Sequence, residues 1–214
     1  MSFDIAVLVS GNGSNLQAII DAIHRNEINI SIRVVISDRL DAKGLERAKN
    51  ANIATAFIEP AKYQSREQFD DVLSEILRKH QVSLIVLAGF MRILSDKFVI
   101  QHLGKLINIH PSLLPKYKGL NTHQRVIDSG DSEHGASVHF VTQELDDGPV
   151  IIQSRVAIND GDTCDLLKQK VHKIEHIIYP KAIDWISKNR VELKNNEVYL
   201  DGVIIDDKKR FYTI

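Results

Sequence analysis

The first hundred residues alternate strand-like and helix-like segments, and that rhythm restricts the chain to few folds. Ile5-Ala6-Val7-Leu8-Val9 is an unbroken apolar run of strand length, as expected of a strand covered on both faces. After a glycine-rich turn, Leu16, Ile19, Ile20 and Ile23 recur at helical spacing. Ile32 to Ile36 reads as a second strand, Ala42 to Asn50 as a short helix, and Ala54 to Ile58 as a weaker strand stopped by Pro60. Ser65 and Gln68 have capping-box spacing ahead of the stripe Phe69, Val72, Leu73, Ile76 and Leu77. Leu84-Ile85-Val86-Leu87 is the most apolar strand and is expected at the centre. A helix follows from about Ser95, then a strand from Leu106 to Ile109. Such β-α-β-α repetition implies an α/β fold, a mostly parallel sheet with helices on both faces.

The second half changes character. A loop with Pro111 and Pro115 leads to a short helix near Thr122 to Ser129. Ala136 to Val141 and Val150 to Val156 read as antiparallel strands around Asp146-Asp147-Gly148-Pro149. A long helix from about Thr163 to Ser187 gathers Leu166, Leu167, Val171, Ile174, Ile178 and Ile183 near one face, and Pro180 is expected to kink it. Asp201-Gly202 is the two-residue turn of a hairpin spanning Val198 to Ile205. No linker or repeat separates the halves, so 1–214 is expected to be a single domain.

Composition narrows the function. Lys plus Arg is 27 and Asp plus Glu is 28, a formal charge of −1, which leaves no basic excess for general nucleic-acid binding. The single cysteine, Cys164, can form neither an internal disulfide nor a Cys-rich zinc site. No stretch has the roughly 20 apolar residues that span a bilayer, and the start, Met1-Ser2-Phe3-Asp4, lacks signal-peptide features. The expectation is a cytoplasmic protein with no nucleic-acid or membrane partner.

Several segments carry chemistry. The turn Ser10-Gly11-Asn12-Gly13-Ser14-Asn15 has glycines that let backbone approach a ligand, and amides near a helix start that suit an anion. It lacks the third glycine of a dinucleotide fingerprint, and Asp38 is only the nearest acidic residue to the second strand's end. A phosphate monoester fits better than a dinucleotide; the alternative is a plain turn capped by Ser14 or Asn15. Asn108 and His110 stand two apart at the end of the fifth strand, where open α/β sheets bind ligands. An amide donor beside an imidazole can polarise a carbonyl and stabilise the oxyanion formed from it. Asp146 is the available carboxylate partner, favouring the imidazolium. A core histidine and an ordinary turn remain the alternatives at these positions.

Other features are weaker. His172 and His176, four apart with Glu175 between, are not in zinc-protease order and read as a solvated helix face. Lys116-Tyr117-Lys118 and Arg125 could attract an anion but read as a solvated loop. Ser112 lacks a nucleophile elbow. Cys164, before a helix, reads as structural.

Taken in order, Ser10 to Gln17, Leu87 to Leu94, Asn108 to Tyr117, His134 to Val141 and Glu144 to Ile151 resemble the glycinamide ribonucleotide transformylases (phosphoribosylglycinamide formyltransferases), a folate-dependent formyltransferase family. The resemblance covers nearly the whole chain. It implies a single-domain Rossmann-like fold with a mixed, mostly parallel seven-stranded sheet, its phosphate-binding half over 1–105 and its catalytic and folate-binding half over 106–214. It implies transfer of a formyl group from 10-formyltetrahydrofolate to the amine of phosphoribosyl-glycinamide in purine (IMP) synthesis, without a metal. Asn108, His110 and Asp146 match the catalytic trio, with Asp146 keeping His110 protonated against an oxyanion. Gly13, Ser14, Asn15 and Glu175 match the phosphoribosyl-glycinamide site. Arg66, Met91, Arg92, Ile93, Leu94, Asn108 and Gln143 match the folate site: Phe90, Ile93 and Leu94 would form an apolar slot for the pterin, and Arg66 or Arg92 would meet the glutamate tail. The family also implies a monomer or weak homodimer. Lys118 stands where proline is common and Asn121 where histidine stands. The competing readings are a formyltetrahydrofolate hydrolase-like enzyme, a methionyl-tRNA formyltransferase (which needs a further RNA-binding domain) and a non-catalytic nucleotide-sensing module.

Overall fold

The structure is a computed structural model, and the residues it describes are 3–206 and 210–213. The strands and helices alternate as expected: β1 (Phe3–Val9), α1 (Ser14–His24), β2 (Ile30–Ser37), α2 (Lys43–Asn50), β3 (Thr55–Phe57), α3 (Arg66–Lys79), β4 (Leu84–Leu87), α4 (Asp96–Gln101) and β5 (Leu106–His110). Then come α5 (Thr122–Ser129), β6 (Glu133–Phe140), β7 (Val150–Ala157), α6 (Cys164–Ser187), β8 (Val191–Lys194), β9 (Glu197–Leu200) and β10 (Val203–Ile204). The main sheet has seven strands in the order β3-β2-β1-β4-β5-β6-β7, with β4 in the middle. The chain divides into two compact units after Asn108.

In the first unit, β1 pairs in parallel with β2 and β4, β2 with β3, and β4 with β5. Ile5 to Val9 and Leu84 to Leu87 are buried throughout, which is why they lack polar alternation. Ser65 caps α3, its hydroxyl accepting from the Gln68 amide at 3.3 Å, and Ser95 caps α4 through the Phe98 amide. The Gln68 side chain completes the box differently from expectation, accepting from the Gln64 amide at 2.8 Å.

In the second unit, β6 and β7 are antiparallel. Thr163 caps α6, a helix of 24 residues that continues past Pro180 without ending. A small sheet, β8-β9-β10, follows it. Its second turn is the expected Asp201-Gly202, with φ of 53° and 78°. Its first, Asn195-Asn196 with φ of 50° and 63°, uses the tolerance of asparagine for the left-handed region. No helix of the described residues is long and apolar enough to cross a membrane.

Candidate active site

Register aligns the carboxyl ends of three strands of the first unit. Leu8 pairs with Leu87, and Leu87 with Asn108. The turn after β1, the turn after β4 and Asn108 therefore share the edge where open α/β sheets bind ligands.

The turn after β1 is built around Gly13, which caps α1 at φ 72° with no side-chain hydrogen bond. Neither Ser14 nor Asn15 is the cap; both already lie in the helix. A Cβ on Gly13 would stand 2.7 Å from the Gly44 Cα, so glycine is required by conformation and by space. The Arg47 guanidinium holds the turn from α2, donating to the Asn12 carbonyl at 2.8 Å and to Asn12 Oδ1 at 3.0 Å. Ser10 ties the two turns together. Its amide donates to the Gly89 carbonyl, its hydroxyl donates to Asp38, and the Met91 amide donates back to that hydroxyl. Asp38 thus serves as a partner for Ser10, a role the sequence pattern did not suggest.

The residues matched to a folate site in this unit divide by exposure. Met91 is 68% and Ile93 60% exposed, whereas Phe90 and Leu94 are buried. Phe90 and Leu94 thus belong to the core, and Met91 and Ile93 to the surface. Arg92 lies 4.5 Å above the Phe69 ring, and Arg66 is exposed at the start of α3. Buried Asp70 accepts from the Ser95 amide at 2.7 Å. Burial pushes the Asp70 carboxyl upward, against the opposing pull of the Ser95 hydrogen bonds.

In the second unit, His110 ends β5, two residues after Asn108 on the same strand. Its Nδ1 lies 3.3 Å from Asp146 Oδ2, and the two side chains are 7% and 8% exposed. Its Nε2 lies 2.9 Å from the Tyr117 carbonyl. Both ring nitrogens face acceptors, an arrangement that suits two N–H donors. Asp146 has φ 50°, and its Oδ2 also accepts from the Gly119 amide at 2.9 Å. The carboxylate is thereby oriented by backbone as well as by the imidazole.

Three further histidines surround this couple. His139 Nδ1 engages the Phe140 carbonyl at 2.8 Å, and its Nε2 lies 3.8 Å from Asp146 Oδ1. Burial holds its protonation well below the ordinary histidine range. His123 Nδ1 and His134 Nε2 share a hydrogen bond at 3.1 Å. Burial first, and neighbouring cationic groups second, push each down to about 4. Spacing alone did not mark these three, because β6 and α5 bring them together only in the fold. One cue was present: His134 and His139 lie within the segment 134–141 already matched to the family.

Glu175 is buried on α6, and Gln143 is exposed between β6 and β7. His172 and His176 are half-buried and stacked at 6.2 Å, not on a solvated face. Lys116 and Lys118 are paired with Asp131 and Asp147, so they are less available to an anion than loop lysines in open solvent. Ser112 is fully buried, its hydroxyl donating to the Lys116 carbonyl, which removes it as a nucleophile. Cys164 is a free thiol in the first turn of α6. Among the described residues, no group of three or more His, Cys, Asp or Glu side chains is placed to hold a metal ion.

A mixed, mostly parallel seven-stranded sheet of this order is the fold of a formyl transferase. The formyl transferase family matches residues 3–183, and the chain belongs to that family. It is 51% identical to the phosphoribosylglycinamide formyltransferase of Escherichia coli strain K12, over 93% of this chain and 94% of that protein. It is 48% identical to the Haemophilus influenzae enzyme of the same name, over 92% and 93%. The structure of the phosphoribosylglycinamide formyltransferase from Coxiella burnetii, solved in complex with CHES, superposes with a TM-score of 0.96 at 48% identity, covering all of both chains. Within its family the chain falls in the phosphoribosylglycinamide formyltransferase group, and it is an enzyme, a one-carbon group transferase.

Proposed function

We propose that the chain transfers the formyl group of 10-formyltetrahydrofolate to the amine of phosphoribosyl-glycinamide, a step of purine synthesis. The observation that carries this reading is the buried His110–Asp146 couple at the end of the strand bearing Asn108. The names of the relatives supply the acceptor and the group transferred; the folate donor is what the family resemblance implies, and the chemistry of the residues supports the roles.

In this reading the neutral amine attacks the formyl carbon, a C–N bond forms, and negative charge grows on the formyl oxygen. The Asn108 amide and the His110 imidazolium meet that charge. An oxyanion donor of this kind contributes about 10²–10³ in rate. Asp146 keeps the imidazole charged and oriented. Because His110 Nε2 already faces the Tyr117 carbonyl, the formyl oxygen competes with that carbonyl for the Nε2 proton. Collapse breaks the bond to the folate nitrogen, which gains a proton as the attacking amine loses one, so no net proton is consumed. No covalent enzyme intermediate is needed, since holding two reactants in line supplies much of the acceleration. Gly13, Ser14 and Asn15 cradle the phosphate in this reading, and Glu175 contacts the same substrate. Arg66, Met91 to Leu94 and Gln143 contact the folate, with exposed Met91 and Ile93 offering apolar surface to the pterin.

The test is a formyl-transfer assay with purified protein and 10-formyltetrahydrofolate, run with and without phosphoribosyl-glycinamide. The expected result is stoichiometric formylation of the acceptor and negligible formate without it. Formate release independent of acceptor makes the enzyme a hydrolase, and folate binding without turnover makes it a sensing module; either result overturns the proposal.

A further inference from the structure

We propose that the Lys118–Asp147 ion pair is a latch that positions the His110–Asp146 couple, making Lys118 and Asp147 positioning residues. The inference rests on the formyl-transfer reading above. The tripeptide Tyr117-Lys118-Gly119 reaches both members of the couple through its main chain. The Tyr117 carbonyl accepts from His110 Nε2, and the Gly119 amide donates to Asp146 Oδ2, each at 2.9 Å. Between these two contacts, the Lys118 ammonium donates to Asp147, the residue directly after Asp146. One short segment therefore grips the imidazole, its carboxylate partner and the turn that carries the carboxylate.

The two sides of this clasp are anchored unequally. On one side, the Tyr117 hydroxyl bonds with Ser129 and Asp131. The Arg125 guanidinium lies 5.4 Å from the Tyr117 ring and donates to the Lys118 carbonyl at 2.6 Å. These contacts fasten the segment to α5. On the other side, Glu144, Leu145 and Asp147 are exposed, and Asp146 holds a left-handed φ that its surroundings must maintain. The Lys118–Asp147 pair joins the anchored side to the exposed one. Its partners are 37% and 51% exposed, so the contact is modest in strength and sensitive to salt.

The experiment compares Lys118→Met, Asp147→Asn and the charge-swapped double variant Lys118→Asp/Asp147→Lys with the wild type. Each single variant is expected to lower kcat at saturating substrates about two- to fivefold, the rate equivalent of one exposed ion pair. Both KM values stay within about twofold, and the swap recovers most of the loss. Raising salt to roughly 0.5 M brings wild-type kcat toward that of Lys118→Met, while the variant itself responds little. The His110 ring ¹⁵N and ¹H resonances shift in the single variants and return in the swap. Single variants with wild-type kcat and unmoved His110 resonances overturn the latch, as does a swap no better than its parents. A wild type that transfers no formyl group refutes the functional reading instead, and the resonances still decide the latch.

Discussion

Asp146 Oδ2 stands 3.3 Å from His110 Nδ1 and also accepts the Gly119 amide at 2.9 Å, so one carboxylate oxygen orients both a side chain and a turn. Asp146→Asn separates the two duties. The asparagine oxygen can still accept from Gly119, but the negative charge opposite the imidazole is lost. The expected result is a fall in kcat of about 10²–10⁴-fold, the range for removing acid–base assistance, with both KM values nearly unchanged. His110→Ala is expected to fall at least as far. Steady-state kinetics with both substrates varied provide the check; a variant keeping more than a tenth of wild-type kcat would remove Asp146 from this role.

Asn108 makes a separate claim, that a neutral amide donor meets the growing oxyanion. Asn108→Ala is expected to reduce kcat by about 10²–10³-fold. Asn108→Asp keeps the shape but replaces the donor by an acceptor and should be no better. A transition-state mimic with a tetrahedral oxyanion should lose affinity for the alanine variant more than folate itself does. Equal losses would assign Asn108 to folate binding instead.

What could be read from the letters, and what could not, follows from how each feature is encoded. Buried parallel strands announce themselves as continuous apolar runs, so β1 and β4 are legible in Ile5 to Val9 and Leu84 to Leu87. Ser65, Ser95 and Thr163 cap helices through their own side chains and are equally visible. The pairing of His110 with Asp146 is legible through the family resemblance, since Asp146-Asp147-Gly148-Pro149 by itself also reads as ordinary turn chemistry. The Tyr117 carbonyl and the Gly119 amide are not legible, because every residue carries those backbone groups. The His123–His134 bond is hidden for another reason: α5 and β6 are adjacent in sequence, yet ring-to-ring contact depends on the turn at Gly130, with φ 71°. The split of the Phe90 to Leu94 segment into core and surface residues also escapes notice, since four apolar letters outside a regular element have no period to assign faces.

Gly13 offers a test of the turn after β1. Gly13→Ala places a Cβ 2.7 Å from the Gly44 Cα at a φ of 72°. The left-handed backbone alone costs about 1–2 kcal/mol for an L-residue, and the contact is with backbone that must move. The KM for phosphoribosyl-glycinamide is expected to rise about tenfold, equivalent to roughly 1.4 kcal/mol of lost binding, while the folate KM stays within about twofold. The thermal midpoint should fall as well. Gly11→Ala is the stability control, since its added Cβ meets nothing within 4 Å. Equal rises in both KM values would argue that the turn does not cradle the phosphate.

The His123–His134 pair, together with buried His139, lowers stability in acid. In the folded chain each titrates at about 4, against an ordinary value of 6.5. Above pH 6.5 both states are neutral and the pair contributes no slope. Between 6.5 and 4 the unfolded chain binds protons that the folded chain refuses, so stability falls as pH falls. The slope is at most about 1.4 kcal/mol per pH unit for each histidine. Below about 4 the folded rings also charge, their shared hydrogen bond fails because both nitrogens become donors, and the slope flattens. Carboxylates such as Asp131, held low by Lys116 and Tyr117, lose their contribution only below their ordinary value of 3.8 and so act outside this window. Urea unfolding from pH 7.5 to 4.5 should show a stability that is level above about 6.5 and declines below it. His123→Phe should reduce the decline by only part of its size, because one depressed imidazole is gone while His134, His139, His80, His102 and His172 are still held low. A flat profile in the wild type, or an unchanged decline in the variant, would show that these two rings do not govern the acid response.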